Sequence, residues 1–271
     1  MNFIKILDVR VDDVGYNQVI KTIQKYIKLN KPHQICTVNP EYILQAQEDD
    51  ELKHIVNNSS LNTADGGGIY FASLYLKKPI KYKVTGIDLI YKIAKLSSTK
   101  KYKIFLLGGF NNAAKQTASV LKNKYPGCNI VGYFEGHPQT KHISKKIWKN
   151  NYQTKKTMDL IEKNPLLDKT NMKIINKVTQ TKPHILLVAY GCPKQDKFIA
   201  RYKKYLNVPV MIGVGGSFDY ISKKISRAPK IMRQIHLEWL YRLIHEPKKR
   251  FYRIINAVIV FPYRIVTNYK K

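Results

Sequence analysis

Short apolar runs alternate with segments of helical period along most of the chain. FIKIL (3–7), QICTV (34–38), SLNTA (60–64), KIFLLGG (103–109), NIVGYF (129–134), HILLVAY (184–190) and VPVMIGVGG (208–216) are of strand length. Between them the spacing predicts helices from about Gly15 to Leu29, from Pro40, from Asn111 to Lys124, from about Asp168 to Thr181, and after Pro193. Strands that read as solid apolar runs are buried on both faces. The predicted fold is therefore α/β: a Rossmann-like, mostly parallel sheet with helices on both faces, plus a basic amphipathic C-terminal helical appendage. Residues 1–226 form the α/β unit, with a lysine-rich insertion at about 137–173, and residues 227–271 form the tail.

Sheets of this kind bind ligands beyond the carboxyl ends of their strands, where helix N-termini present free N–H groups. The loops that follow strands are 37–41, 65–68, 108–112, 190–196 and 213–219. In the first, Asn39 stands where a helix cap belongs and Pro40 where a first turn begins, so Asn39 is either a cap or, with Thr37, a rim residue facing a ligand. In TADGGG (63–68), Asp65 either caps a helix or is a base at the lip of an opening that the glycines keep clear. Gly108 and Gly109 in LLGGFNN suit a phosphate or nucleoside, although a third glycine of the dinucleotide pattern is missing. In AYGCPKQDKF (189–198), Gly191 and Pro193 make a bend, and Lys194, Gln195 and Asp196 fill the first turn of the next helix. A lysine there opposes the helix dipole, which makes sense beside a bound anion.

From Arg227 the chain becomes both basic and apolar. Arg227, Arg242 and Arg253 are interleaved with Trp239, Leu243, Phe251 and Ile254. A basic amphipathic helix of this kind suits an anionic membrane surface, while its alternative is to pack on the protein's own core. The run IINAVIVFPY is assigned to a membrane or a partner. No window approaches the ~20 continuous apolar residues needed to span a bilayer, and the N-terminus carries acids too early for a signal peptide.

Charge adds one expectation. With 48 Lys and Arg against 18 Asp and Glu, the formal charge of +30 predicts attraction to something anionic: nucleic acid, a membrane surface or a phosphate-rich substrate. Cys36, Cys128 and Cys192 form no C-x-x-C pair, and the seven histidines show no metal-ligand spacing, so neither a disulfide framework nor a metal site is expected. No cofactor is expected either. The acids Glu48, Asp49, Asp50 and Glu51 read as an exposed helix end.

Taken in order, TVNPEY (37–42), TADGGG, VTGIDLI (84–90), LLGG with YPG (125–127), GCPKQD (191–196), GVGGSFDY (213–220), RAP (227–229) and LEWLYRLIHEP (237–247) resemble the WecG/TagA/CpsF family, glycosyltransferase family 26. The resemblance covers most of 1–136 and 183–253. It implies an inverting, metal-independent enzyme that moves an N-acetylmannosamine-type sugar from a UDP donor to a polyprenyl-diphosphate-linked sugar, in cell-wall or surface polysaccharide synthesis. It further implies that Asp65 is the catalytic base, that Thr37 and Asn39 orient the sugars beside Gly66 and Gly67, and that Gly191, Lys194 and Gln195 line the nucleotide side. Arg227 and Arg242 would close over the site and meet the diphosphate. The implied location is cytoplasmic, peripheral on the inner face of the cell membrane, and a homo-oligomer stays open beside a monomer.

Four features depart from the family pattern, the first being that the segment from about His137 to Lys173 is longer than the family's connection. Asp196 stands where a Glu is usual, SKKIS (222–226) lacks the glycine that usually precedes RAP, and both Lys249 and Arg250 match one tail arginine. Two rival readings are a nucleic-acid-binding protein, motivated by charge alone and without a recognition motif, and an NAD-dependent Rossmann oxidoreductase.

Overall fold

Leu7 and Asp8 both take positive φ, 48° and 61°, and so close a two-residue turn between β1 (Phe3–Ile6) and β2 (Val9–Asp12). Such a turn matches the twist of an antiparallel pair, and Ile6 sits opposite Val9 across it. The computed structural model describes residues 2–136, 169–222, 226–229, 231–232, 237–245 and 247–269. Most of the insertion expected at 137–173 lies outside these residues; its last positions open a helix.

The elements that follow are α1 (Tyr16–Leu29), β3 (His33–Val38), α2 (Pro40–Glu48), α3 (Asp50–Asn57), β4 (Leu61–Ala64), α4 (Gly67–Tyr75), α5 (Gly86–Lys100), β5 (Ile104–Gly108), α6 (Ala113–Lys124) and β6 (Ile130–Phe134). After the undescribed segment come α7 (Lys169–Gln180), β7 (Ile185–Ala189), α8 (Lys194–Leu206), β8 (Val210–Gly213), α9 (Ser217–Ile221), α10 (Glu238–His245), α11 (Pro247–Ile255) and α12 (Phe261–Tyr269). The strands form one sheet in the order β1-β2-β4-β3-β8-β7-β5-β6, parallel throughout except for the β1/β2 hairpin.

Successive residues of each central strand serve opposite faces. Ile35, Leu106, Leu187 and Ile212 meet α1, α5, α6 and α9 on one side. Cys36 and Val38 pack with α2, α3 and α4 on the other, and Leu107, Val188 and Met211 with α7 and α8. This two-sided burial is why the strands read as unbroken apolar runs.

The acid cluster at 48–51 corrects the expectation of an exposed helix end. Asp49 caps α3 by accepting from the Leu52 N–H at 3.1 Å. Glu51 is buried and takes Lys197 at 2.7 Å and Arg201 at 3.0 Å, tying α3 to α8. The four acids do not share one environment, because the cap between them turns the chain.

The tail corrects another expectation. The run IINAVIVFPY divides between core and solvent: Ile254 and Phe261 are buried, with Phe261 and, two residues past the run, Ile265 packed into the cluster around Val38 and Tyr42, while Ile259 is 62% exposed. From Pro247 to Tyr269 the helix runs on through a π-helical stretch, Asn256–Val260, just before Pro262. Proline removes one ladder donor and crowds the preceding turn, and a wider turn accommodates it. Among the described residues, no helix is long and apolar enough to cross a membrane.

Candidate active site

β3 and β4 are adjacent, with Val38 opposite Ala64, so the residues that follow them emerge side by side. The Asp65 N–H donates to the Val38 carbonyl at 2.7 Å and carries the ladder one step past the strand end. Asp65 is half-buried there and lines a cavity of about 520 Å³. It does not cap α4: that position falls to Gly66.

Gly66 and Gly68 meet different demands. Gly66 has φ +96° and open space where a Cβ would stand, so it supplies a backbone conformation that side-chain-bearing residues rarely adopt. A Cβ on Gly68 would strike the ring of Pro40, so Gly68 lets α4 lie against the start of α2. Gly67 opens α4 and lines the cavity with Gly66 and Gly68.

Asn39 is a helix cap that also stands at the rim of the cavity. Its Oδ1 accepts from the Tyr42 N–H at 2.9 Å, capping α2, and the residue also lines the cavity. Thr37 lies below the rim rather than on it: it is 6% exposed, and its hydroxyl donates to the Gly213 carbonyl at 2.9 Å, joining β3 to the end of β8. The N-termini of α2 and α4, with Thr85 at the cap of α5, all reach this cavity. Their dipoles favour an anion there.

The tail supplies the facing wall with Trp239, Ile254, Val258 and Phe261. Arg253 also lines the cavity and holds the tail to α2, with Nε donating to the Glu41 carboxylate at 2.7 and 2.8 Å. Arg227 does not line it. Its guanidinium makes a two-pronged contact with Asp88 on α5, both bonds 2.7 Å, beside the Thr85 cap. Arg242 lies on α10, and its side chain is outside the described residues.

The other predicted loops line the neighbouring stretch of the sheet's carboxyl edge, not this cavity. A Cβ on Gly108 would run into the Ala189 carbonyl at 2.8 Å, so Gly108 allows the close approach of the β5 and β7 ends. Gly109 follows it and donates to the same carbonyl at 3.1 Å. Gly191 is half-buried and Lys194 exposed. Gln195 is buried, and its Oε1 accepts from the Gly215 N–H at 2.8 Å, bracing the 190s loop against the loop after β8.

Asp196, placed by sequence in an ordinary first turn, is fully buried. Neither carboxylate oxygen has a partner at full hydrogen-bonding geometry. Burial pushes its pKa up to about 7, and polar contacts from Cys36, Tyr42 and Gln195 offset only part of that. Between about pH 4 and pH 7 the folded chain therefore keeps a proton that the unfolded chain has released. Stability attributable to this group is complete below about pH 4, falls as pH rises through that window and levels off above it. Asp196→Asn should remove this slope, gaining on the order of 4 kcal/mol over wild type between pH 4 and pH 8. Urea midpoints of the two proteins across that range check it, and parallel curves would refute it.

Lys83, Glu41, Thr85 and Arg253 line the cavity but were not predicted as site residues. Thr85 carried a signal, as the cap of TGID, whereas Arg253 reaches the site only because the tail folds back over α2. Among the described residues, no group of three or more His, Cys, Asp or Glu is placed to hold a metal ion.

The sequence model of the glycosyl transferase WecG/TagA/CpsF family matches residues 4–271. Similar proteins named N-acetylglucosaminyldiphosphoundecaprenol N-acetyl-beta-D-mannosaminyltransferase occur in several bacteria. The one from Bacillus spizizenii is 27% identical, over 83% of this chain and 76% of its own. That from Bacillus subtilis strain 168 is 29% identical, over 79% and 72%. That from Staphylococcus aureus strain MW2 is 26% identical, over 99% and 94%. Since the match takes in the sheet, the aspartate–glycine loop and the tail helices that wall the cavity, the chain belongs to the WecG/TagA/CpsF family of glycosyltransferases.

Proposed function

We propose that this enzyme transfers an N-acetylmannosamine-type sugar from a UDP donor to a polyprenyl-diphosphate-linked sugar, with inversion and without an obligatory metal, in cell-wall or surface polysaccharide synthesis. One observation carries the reading: Asp65 stands at the polar end of a cavity that three helix N-termini approach and that a basic, apolar tail closes. The names of the similar proteins supply the sugar and the lipid-linked acceptor.

Asp65 takes the proton from the acceptor hydroxyl as its oxygen attacks the donor's anomeric carbon. The bond to UDP breaks on the opposite face, the pair of electrons leaves with the β-phosphate, and the proton later passes from Asp65 to water. Helix N-termini at Asn39 and Gly66, with Lys83, lie where negative charge must be met. Gly108, Gly109, Gly191 and Lys194 sit along the adjoining edge and take the nucleotide, while Gln195 and Thr37 act as braces beneath it. Arg227 and Arg242 complete the diphosphate side after the acceptor enters.

The α/β unit of residues 1–226 is the catalytic part, and residues 227–271 form a lid that rests on the inner face of the cell membrane. Tyr252, Ile259 and Tyr263 face outward, 79%, 62% and 67% exposed, on a helix that also carries Arg253 and Arg264. Basic side chains among exposed aromatic and aliphatic ones suit an anionic bilayer surface.

A panel of UDP-sugars, each assayed for UDP release with a synthetic prenyl-diphosphate N-acetylglucosamine acceptor, tests the reading. UDP-N-acetylmannosamine should give acceptor-dependent release that survives EDTA. Release from none of the donors, or release requiring added metal, would refute the corresponding part.

A further inference from the structure

The cavity at Asp65 has a second end that the chemistry above does not use. On one side stand Phe71 and Tyr75, one turn apart on α4; on the other, Ala257, Val258 and Pro262 face them from the long tail helix. The lining positions on that helix recur at intervals of three and four residues, so a single apolar stripe continues through the π-helical stretch. Phe71 is 56% and Tyr75 46% exposed, although both belong to a concave wall next to the reacting groups. Rings that stay about half exposed on a concave wall beside the proposed base, Tyr75 also touching Tyr269 edge-on, indicate a ligand that is itself apolar at that end.

We propose that this end is a groove for the first isoprene units of the acceptor's prenyl chain, which leave the diphosphate and run between α4 and the tail helix. The proposal rests on the glycosyltransferase reading and adds to it a lipid subsite. A sugar would need hydrogen-bond partners that these five side chains lack, apart from the Tyr75 hydroxyl. A branched, flexible hydrocarbon needs only area to cover. The groove is continuous with the polar end, so one ligand with a charged head and an apolar tail fills both. Ala257 is the small residue of the stripe, and its size sets the depth.

The test compares two acceptors that share the diphosphate-linked N-acetylglucosamine head, one carrying a farnesyl group and one a methyl group. Both are used without vesicles or detergent and below self-association. Wild-type kcat/KM should favour the farnesyl acceptor by about tenfold or more. Ala257→Trp, which fills the groove, should cut that preference at least about fivefold; Phe71→Ala, from the opposite wall, should cut it about threefold and serves if the first variant fails to fold. A wild-type preference near one, or variants that lower both acceptors by the same factor, would overturn the groove. A preference that appears only on adding vesicles would assign the apolar end to the bilayer and also overturn it. No transfer to either acceptor would remove the glycosyltransferase reading and the groove together, whereas transfer without chain preference removes the groove alone.

Discussion

Asp65→Asn should lower kcat by a factor of about 10² to 10⁴ while leaving UDP affinity within about twofold. The substitution keeps the size and planar shape of the side chain and removes only its capacity to accept a proton at ordinary pH. Asp65 sits at the open end of β4, its backbone tied to Val38 and its Oδ2 3.5 Å from the Gly86 N–H, so an amide of equal size should hold the same place. The loops at 108–109 and 191–195, proposed to take the nucleotide, lie outside the cavity that Asp65 lines, which is why donor affinity should survive. Single-turnover transfer with donor prebound separates the two effects. Transfer at the wild-type rate would remove Asp65 from its role.

Deleting residues 227–271 should have the second large effect, reducing transfer to a lipid acceptor by roughly a hundredfold or more and abolishing vesicle binding. The deletion removes one wall of the cavity, including Ile254, Val258 and Phe261, together with the contacts Arg227–Asp88 and Arg253–Glu41. Loss of a buried Phe alone costs about 3–5 kcal/mol, so the truncated protein should also melt lower. A change confined to the outer surface isolates the membrane part: replacing Tyr252 and Tyr263 by Glu should weaken vesicle binding because each ring is lost and a carboxylate, which an anionic surface repels, takes its place. Full activity on the lipid acceptor after truncation would contradict the lid, and unchanged vesicle binding would contradict the anchor.

The parallel sheet was legible because its central strands are buried on both faces and so appear as solid apolar runs; Ile185–Ala189 is the clearest case. β2 was not assigned separately, since VRVD is only four residues and its pairing depends on a turn at Leu7–Asp8 that lacks the usual glycine. α3 was hidden by its acids, which read as a solvated end until Lys197 and Arg201 arrive from a distant helix. α5 stands out in the sequence as the VTGIDLI motif more than as a helix, although Thr85 caps it.

At the site, sequence located the loops that border the cavity better than the direction of their side chains. Asp65 and Asn39 were legible because each follows a strand and precedes a helix start. Thr37 and Gln195 belong to the same loops, yet both turn inward, to Gly213 and Gly215, and no local pattern distinguishes an inward hydroxyl or amide from an outward one. Arg227, expected over the diphosphate, meets Asp88 here, a partner 139 residues away in sequence that no local pattern announces. The tail's apolar run divides between core and solvent because α2 offers it a surface, and that surface exists only after the sheet has formed.

As proposed, Asp65 removes a proton in a single displacement and does not attack the sugar covalently. The anomeric configuration of the product, read by NMR couplings and compared with that of the donor, decides between these directly. Inversion is the predicted result; retention would mean two displacements through an enzyme-bound sugar and would contradict the assignment.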